Sequence, residues 1–431
     1  MRNILIETQK LLSGKFAKNA AYVYGAQVAG GVAGFALNLI LIRHLNIEDY
    51  GLFSLYTSAT MLFASFIHLG WLDAYSRFGA RYAAEPVFEA VRKFFFGKIL
   101  RSMVLGAGLP LIFAGWISTR LYERPQFSIY LRLAILNGVI LCIWSFLNLD
   151  FQVRQRFKNY LYAQLLLSAS RLTGIVFLFF FVGLSLLSVI SVNFLFPLFF
   201  LLIYGWQMQI FSTKKAENIE LPSAIRTQAS EFRAWVLLST VCNSVIGNID
   251  LSILAHYHPN QTLANYGVAA RLTLPLHMAM TALGMVMLPK LASNKNIELT
   301  KSQLRTLIKY IFPVSVLLLI ACYFLPAILA RWAGAQYASS QNLIQLFLLS
   351  SVIVFITNPP SVFLIAWGHA KMLAYLNLVQ LIVDLILDLL WIPSRGAIGA
   401  IQATLVVYLI GTVFAYFQLY RALKGKLLPA K

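Results

Sequence analysis

Charge is scarce in this sequence. Asp and Glu number 15 and Lys and Arg 35 in 431 residues, and charged residues make up 12% of the chain, against roughly 25% in ordinary globular domains. Together with a mean hydropathy of +0.74, that shortage excludes an ordinary soluble protein. Cysteine is scarcer still. Cys142, Cys242 and Cys322 each fall inside an apolar run rather than a loop, so neither a disulfide framework nor a cysteine metal cluster is expected.

What is abundant is apolar length. Hydrophobic residues make up 59% of the chain, and runs of the roughly 20 residues that a spanning helix needs recur from end to end. Lipid gives the backbone no hydrogen-bonding partner, so such runs must be helices. The expected spans are 20–42, 52–76, 99–118, 130–151, 160–183, 187–208, 233–256, 263–288, 308–330, 342–366, 372–392 and 396–420, twelve in all. The first run is too long for a signal-peptide core and is expected to stay as a membrane helix. Residues 4–16 are expected to be either a short helix lying on the inner surface or an unstructured tail.

An even number of spans puts both termini on one side, and the basic residues decide which. One alternating set of connections carries Arg77, Arg81, Arg92, Lys93 and Lys98, then Lys290, Lys295, Lys301, Arg305 and Lys309, and finally Arg421, Lys424, Lys426 and Lys431. The opposite set holds only Arg43, Arg120, Arg124, Arg132, Arg331 and Arg395. Both termini are therefore expected in the cytoplasm. Topology accounts for most of the +20 net charge, and with no nucleic-acid-binding motif beside it, nucleic acid is not an expected partner.

The longest inner connection, "QIFSTKKAENIELPSAIRTQASEFRAW" at 209–235, divides the spans six and six. The expected domains are an N-terminal lobe at 1–208, a linker at 209–232 and a C-terminal lobe at 233–431. An internal repeat supports the division. "LNLILIRHLNIEDYG" can be laid over "IDLSILAHYHPNQTLANYG" after a four-residue insertion, so that Asn38 meets Asp250, His44 meets His256, and Tyr50-Gly51 meets Tyr266-Gly267. Parallel repeats of this kind are related by an axis along the membrane normal. In the first copy Asn46 suits a helix cap, and Glu48 and Asp49 suit the positive end of the helix that follows. The second copy lacks both acids, so a hinge is favoured there over acid/base or metal chemistry.

Three stretches carry a family resemblance: "LIRHLNIEDYGLFSLY" with "HLGWLDAYSRFGARY" after it, "FQVRQRFKNYLYAQ", and "GHAKMLAYLNLVQLIVDLILDLLWIPSRGAIGAIQATLV". The last contains a Gly-x-x-Gly-Ala step, Gly396 to Ala400, opening the final span. The chain resembles the polysaccharide transporter, or O-antigen flippase, branch of the multidrug/oligosaccharidyl-lipid/polysaccharide flippase superfamily. The sixth span, "GLSLLSVISVNF", lacks the counterpart of that step. The resemblance implies an all-α integral membrane fold, two pseudo-symmetric six-helix lobes around a central cavity. It implies a non-enzymatic flippase that moves a polyprenyl-pyrophosphate-linked oligosaccharide, such as an O-antigen unit for lipopolysaccharide, to the outer leaflet of a bacterial inner membrane. Membrane lipid, and a glycan polymerase, are the further partners it suggests. A cation-coupled multidrug exporter of the same superfamily is the alternative within transport. A glycan polymerase or glycosyltransferase is disfavoured, because such enzymes need sizeable outer loops and these connections are short.

Ionisable groups at bilayer depth are costly, and so are the first candidates for a site. Five fall well inside the expected spans: Arg171, Asp250, Arg271, Asp384 and Asp388. Asp250 and Arg271 lie at similar depth and could pair. Arg271 and Arg171 are expected to bind substrate phosphate, since a guanidinium is always charged and offers a planar fork of donors. Asp384 and Asp388 share one helix face, and with Asp250 they are expected either to hold a coupling proton or sodium ion or to act structurally. No cofactor and no metal centre is expected, and His256-x-His258 lacks a third ligand. On this topology, a reporter fused after Lys431 should be active only in the cytoplasm; activity on the outer side would overturn it.

Overall fold

The computed structural model describes residues 15–207, 223–292, 297–366 and 370–424. Every regular element among them is helical: α1 (Lys15–His44), α2 (Ile47–Ile67), α3 (Trp71–Tyr82), α4 (Phe88–Arg120), α5 (Ser128–Val153), α6 (Phe157–Phe177), α7 (Leu186–Gln207), α8 (Ser223–Ile246), α9 (Ile249–Tyr257), α10 (Asn260–Ala292), α11 (Ile297–Ala333), α12 (Gln341–Ala366), α13 (Ala370–Arg395) and α14 (Ala397–Leu423). Ten helices among the described residues are long and apolar enough to cross a membrane, or eleven if α8 and α9, which meet at a bend of 42°, form one broken span. The described residues do not confirm the expected count of twelve. The span expected at 263–288 corresponds to α10, whose side chains are described only as far as Met278. The inner-surface helix or unstructured tail expected at 4–16 falls almost wholly outside the described residues, as does most of the linker, and from Ser223 the chain is already helical.

Local chemistry sets the breaks. Asn46 caps α2, its side-chain oxygen accepting from the Glu48 amide at 3.2 Å, with Glu48 and Asp49 in the first turn. The span expected at 52–76 is corrected by this structure. It starts earlier, at Ile47, and stops at Ile67, because Leu69 (φ 47°) and Gly70 (φ 77°) adopt left-handed backbone that no continuous helix accommodates. The chain then enters α3, whose Trp71, Ala74, Tyr75, Phe78 and Gly79 are buried while Ser76, Arg77, Ala80 and Arg81 are exposed. That is the spacing of an amphipathic helix.

Contacts group the chain into two compact units, each assembled from separated segments. The first comprises 1–41, 59–115 and 128–237, and the second 42–58, 116–127 and 238–431. The first unit has an aromatic core. Tyr75 stacks on Phe146 at 4.8 Å, and Trp144, Leu147, Phe151, Tyr160 and Leu167 continue it toward α7.

In the second unit α12 packs against α10, α11 and α14, and α14 against α13. Pro360 lies within α12 and removes the amide that would have bonded the Ile356 carbonyl. Tyr416 of α14 supplies the missing donor at 3.0 Å. The segments from the first half of the chain are tied in closely. Arg43 donates to the Trp332 carbonyl at 2.8 Å. Arg124 donates to the carbonyl of Ala255 at 3.0 Å, to the carbonyl of His258 and to the side-chain oxygen of Asn260. The glycines of the two repeat copies sit at the closest approaches: a Cβ on Gly51 would collide with the Asn260 carbonyl, and one on Gly267 with the side chain of Ser54.

These two glycines should respond differently to substitution. Overpacking costs roughly 1–3 kcal/mol, so Gly51→Ala and Gly267→Ala should both lower the thermal midpoint of the purified protein. Ser54→Gly should restore Gly267→Ala and leave Gly51→Ala uncorrected, because a backbone carbonyl cannot step aside as a side chain can. Equal rescue of both would refute this account of the contact.

Candidate functional site

The bend between α8 and α9 places Asp250 one residue into α9, buried and facing α13. There Asp384 and Asp388, both fully buried, lie one helical turn apart. The three side chains each bring a carboxylate oxygen within 4.8 Å of the other two. Hydroxyls from two further helices close over the group. Tyr266 of α10 donates to Asp250 Oδ2, and Thr404 of α14 donates to the same oxygen at 3.2 Å. The other oxygen of Asp250 and all four oxygens of Asp384 and Asp388 are buried without a hydrogen-bond donor.

Three ionised carboxylates cannot share so small a volume at low dielectric without compensation, because like charges there repel steeply. A donor-poor set of acid oxygens, ringed by hydroxyls, has the chemistry of a small hard cation or of shared protons. The two aspartates of α13 were legible from their spacing, and Asp250 from its depth. Tyr266 and Thr404 were missed as site residues because a hydroxyl in an apolar helix is commonplace in a sequence. A signal existed for Tyr266, which occupies the repeat position of Tyr50. In the first copy Asn38 replaces Asp250 and donates to the Gly34 carbonyl of its own helix at 2.7 Å, and the Tyr50 hydroxyl is buried with no hydrogen-bond partner.

The expected pairing of Asp250 with Arg271 is corrected. Arg271 donates to Thr57 Oγ1 at 3.1 Å, and its guanidinium makes no ion pair among the described residues. The reason is helical phase. Arg271 follows Tyr266 by five residues, which at 3.6 residues per turn points it about 140° away from the face that Tyr266 turns to Asp250. The two are at similar depth on different sides of α10. Arg171 is half-buried in α6 and belongs to the first unit, whereas Arg271 belongs to the second.

Asp150 and Arg154 do bond, at 3.1 Å, within a larger knot in which Arg92 lies 3.3 Å from Asp150, Glu89 bonds both arginines, and Tyr75 donates to Asp150. Two acids meet two guanidinium groups there, and the charge balances. Asp73 and Arg77 do not pair: Arg77 stacks over Phe232 at 4.5 Å. His256 and His258 face different backbones, the carbonyls of Leu121 and Ile392, and do not converge on one ligand.

The sequence matches the profile of the polysaccharide biosynthesis protein family over residues 16–295, more than half of the chain. The chain belongs to the polysaccharide biosynthesis protein family. The MatE profile matches residues 236–390, and both matches put this family member within the multidrug/oligosaccharidyl-lipid/polysaccharide superfamily of flippases and transporters. Solved structures agree on the fold. The lipid II flippase MurJ, in an inward closed conformation, is 14% identical with a TM-score of 0.71, over 92% of this chain and 86% of that one. A multidrug resistance MATE transporter in an inward-facing conformation is 14% identical with a TM-score of 0.69, over 92% and 96%. The MATE multidrug transporter DinF-BH is 13% identical with a TM-score of 0.68, over 93% and 94%. No curated protein sequence matches this family member.

The carboxylate cluster yields a direct test. Asp384→Asn keeps shape and removes one charge from an overcharged volume. It should raise the thermal midpoint in sodium-free buffer, by roughly 2–4 °C, and flatten its dependence on added sodium and on acidification. A midpoint that falls, with its sodium and pH dependence intact, would show that the three acids are not sharing a cation.

Proposed function

We propose that this membrane transporter is a flippase that carries a polyprenyl-pyrophosphate-linked oligosaccharide, an O-antigen or similar surface-glycan unit, from the cytoplasmic to the outer leaflet. It would act by alternating access, as a transporter and not an enzyme. The observation that carries the reading is Arg271: a permanently charged group at span depth whose described partner is a neutral hydroxyl, and which the nearby acids do not neutralise. A cation held at that depth is expensive unless water or a substrate compensates it, and a phosphate does so through paired hydrogen bonds. The family match supports the glycan side of the proposal. Arg171 would be the second cation, from the first unit.

Asp250, Asp384 and Asp388 would hold the coupling proton or sodium ion, and the two states of the transporter would differ in their affinity for it. The match to MatE favours a multidrug exporter as a second reading. Against it, Asp384 and Asp388 are fully buried, which suits a small ion better than a bulky organic cation. The proposed setting is a bacterial inner membrane with both termini cytoplasmic, two six-helix lobes joined near 209–232, a glycan polymerase as the downstream partner, and no role for nucleic acid.

The test is complementation of a flippase deletion with membrane abundance measured. Arg271→Ala and Arg171→Ala should each cut surface glycan at least about tenfold, the equivalent of roughly 1.4 kcal/mol, and the Lys variants, which keep the charge but lose the fork, should retain more. Full surface glycan from both Ala variants, or drug efflux without any glycan phenotype, would overturn the proposal.

A further inference from the structure

On the first unit, two cations converge on one indole. Arg233, near the start of α8, lies with its guanidinium 4.6 Å from the Trp71 ring centre, and the ammonium of Lys98, on α4, lies 5.6 Å from it and 5.7 Å from Phe94. The close approach of α8 depends on Gly70. That residue has φ 77°, and a Cβ there would come within 3.0 Å of the Arg233 side chain and carbonyl. Both cations are half-buried while Trp71 is buried beneath them.

Neither cation is in an ion pair among the described residues, and Arg233 Nε is buried without a hydrogen-bond partner. Asp73, two residues along α3 from Trp71, makes no ion pair with either cation among the described residues. Asp73 has a buried oxygen that is itself unpartnered, and burial pushes its carboxyl above the ordinary range. Arg77 and Arg101 are exposed close by in sequence and add positive charge.

The depth is that of a lipid head group. At 1.5 Å per residue α4 is about 50 Å long, well over the ~30 Å hydrocarbon core. Its exposed apolar residues Leu100, Val104, Leu105, Leu109, Ile112 and Trp116 mark the part inside, and Lys98 lies about 3 Å before the first of them, toward the end of the chain's topology that carries the lysines and arginines.

We infer that Lys98 and Arg233, seated on Trp71, form a docking site for the diphosphate of a lipid-linked substrate at the cytoplasmic head-group level, before that group reaches the bilayer interior. Two fixed cations match two adjoining phosphoryl groups: the guanidinium fork suits one, the compact ammonium the other. The indole holds both cations in place by its ring face and offers no competing negative charge. A monoanionic bilayer phospholipid would satisfy only one of them. This inference rests on the flippase reading.

The experiment uses the full chain in phosphatidylcholine nanodiscs, with polyprenyl diphosphate lacking sugar as one probe and phosphatidylglycerol as the other. Lys98→Gln with Arg233→Gln should weaken polyprenyl diphosphate binding about tenfold or more and leave phosphatidylglycerol unchanged. Lys98→Arg with Arg233→Lys, which preserves both charges, should stay within about threefold of the parent. If the double Gln variant does not assemble, Lys98→Gln alone, which leaves the α8 packing against Gly70 untouched, gives the same comparison. Unchanged polyprenyl diphosphate affinity overturns the docking site alone. Parallel loss of both probes also overturns it, in favour of a general anionic-lipid contact. Failure of the parent protein to bind polyprenyl diphosphate at all overturns the site together with the flippase reading.

Discussion

A backbone carbonyl or amide in hydrocarbon has no water to turn to, and each one left bare costs several kcal/mol. This constraint organises the second unit down to single residues. Where Pro360 frees the Ile356 carbonyl, Tyr416 reaches across from α14. Gln380 donates to the Val407 carbonyl at 2.8 Å, in space left by Gly411. Where α8 breaks, Asn248 Nδ2 turns back to the Ser244 carbonyl at 3.0 Å, and Ser58 of α2 donates to the Asn248 carbonyl at 2.6 Å. The break that admits Asp250 to the interior is therefore tolerated only because neighbouring side chains take over the backbone bonds it gives up.

Against that background the charges sort into two kinds. The knot of Glu89, Arg92, Asp150 and Arg154 is internally balanced and further bonded by Tyr75, the condition under which a buried ion network persists. The three aspartates, Arg271 and the Lys98–Arg233 pair form no compensating ion pair among the described residues. In a transporter, an imbalance that a mobile ion or substrate corrects can be different in the two states of the cycle, and such a difference in affinity is what allows a ligand to shift a conformational equilibrium.

Much of this could be read from residues alone. Apolar run length marked most of the helices, since in lipid that signal has one structural solution. Asn46 with Glu48 and Asp49 announced a helix cap, and the depth of Asp250, Asp384 and Asp388 announced a site. What was not legible depended on rotation and reach. Periodicity places Arg271 and Asp250 at one depth but does not say that Tyr266 takes the acid while Thr57 takes the arginine. The early stop of α2 at Ile67 turns on the left-handed backbone of two residues, Leu69 and Gly70, within a run whose hydropathy continues. Lys98 and Arg233 are 135 positions apart in the chain, and nothing but tertiary packing brings them to the same indole.

The clasp made by Arg124 has a kinetic side. One guanidinium spans three acceptors on consecutive turns of the α9–α10 connection, so the bonds cannot be surrendered one at a time without leaving donors aimed at nothing. Bonds to a charged group contribute roughly 1.5–3 kcal/mol each, and every 1.4 kcal/mol is about a factor of ten in a rate or a population. Within the second unit, any local detachment of residues 116–127 from the α9–α10 connection must therefore give up these bonds together.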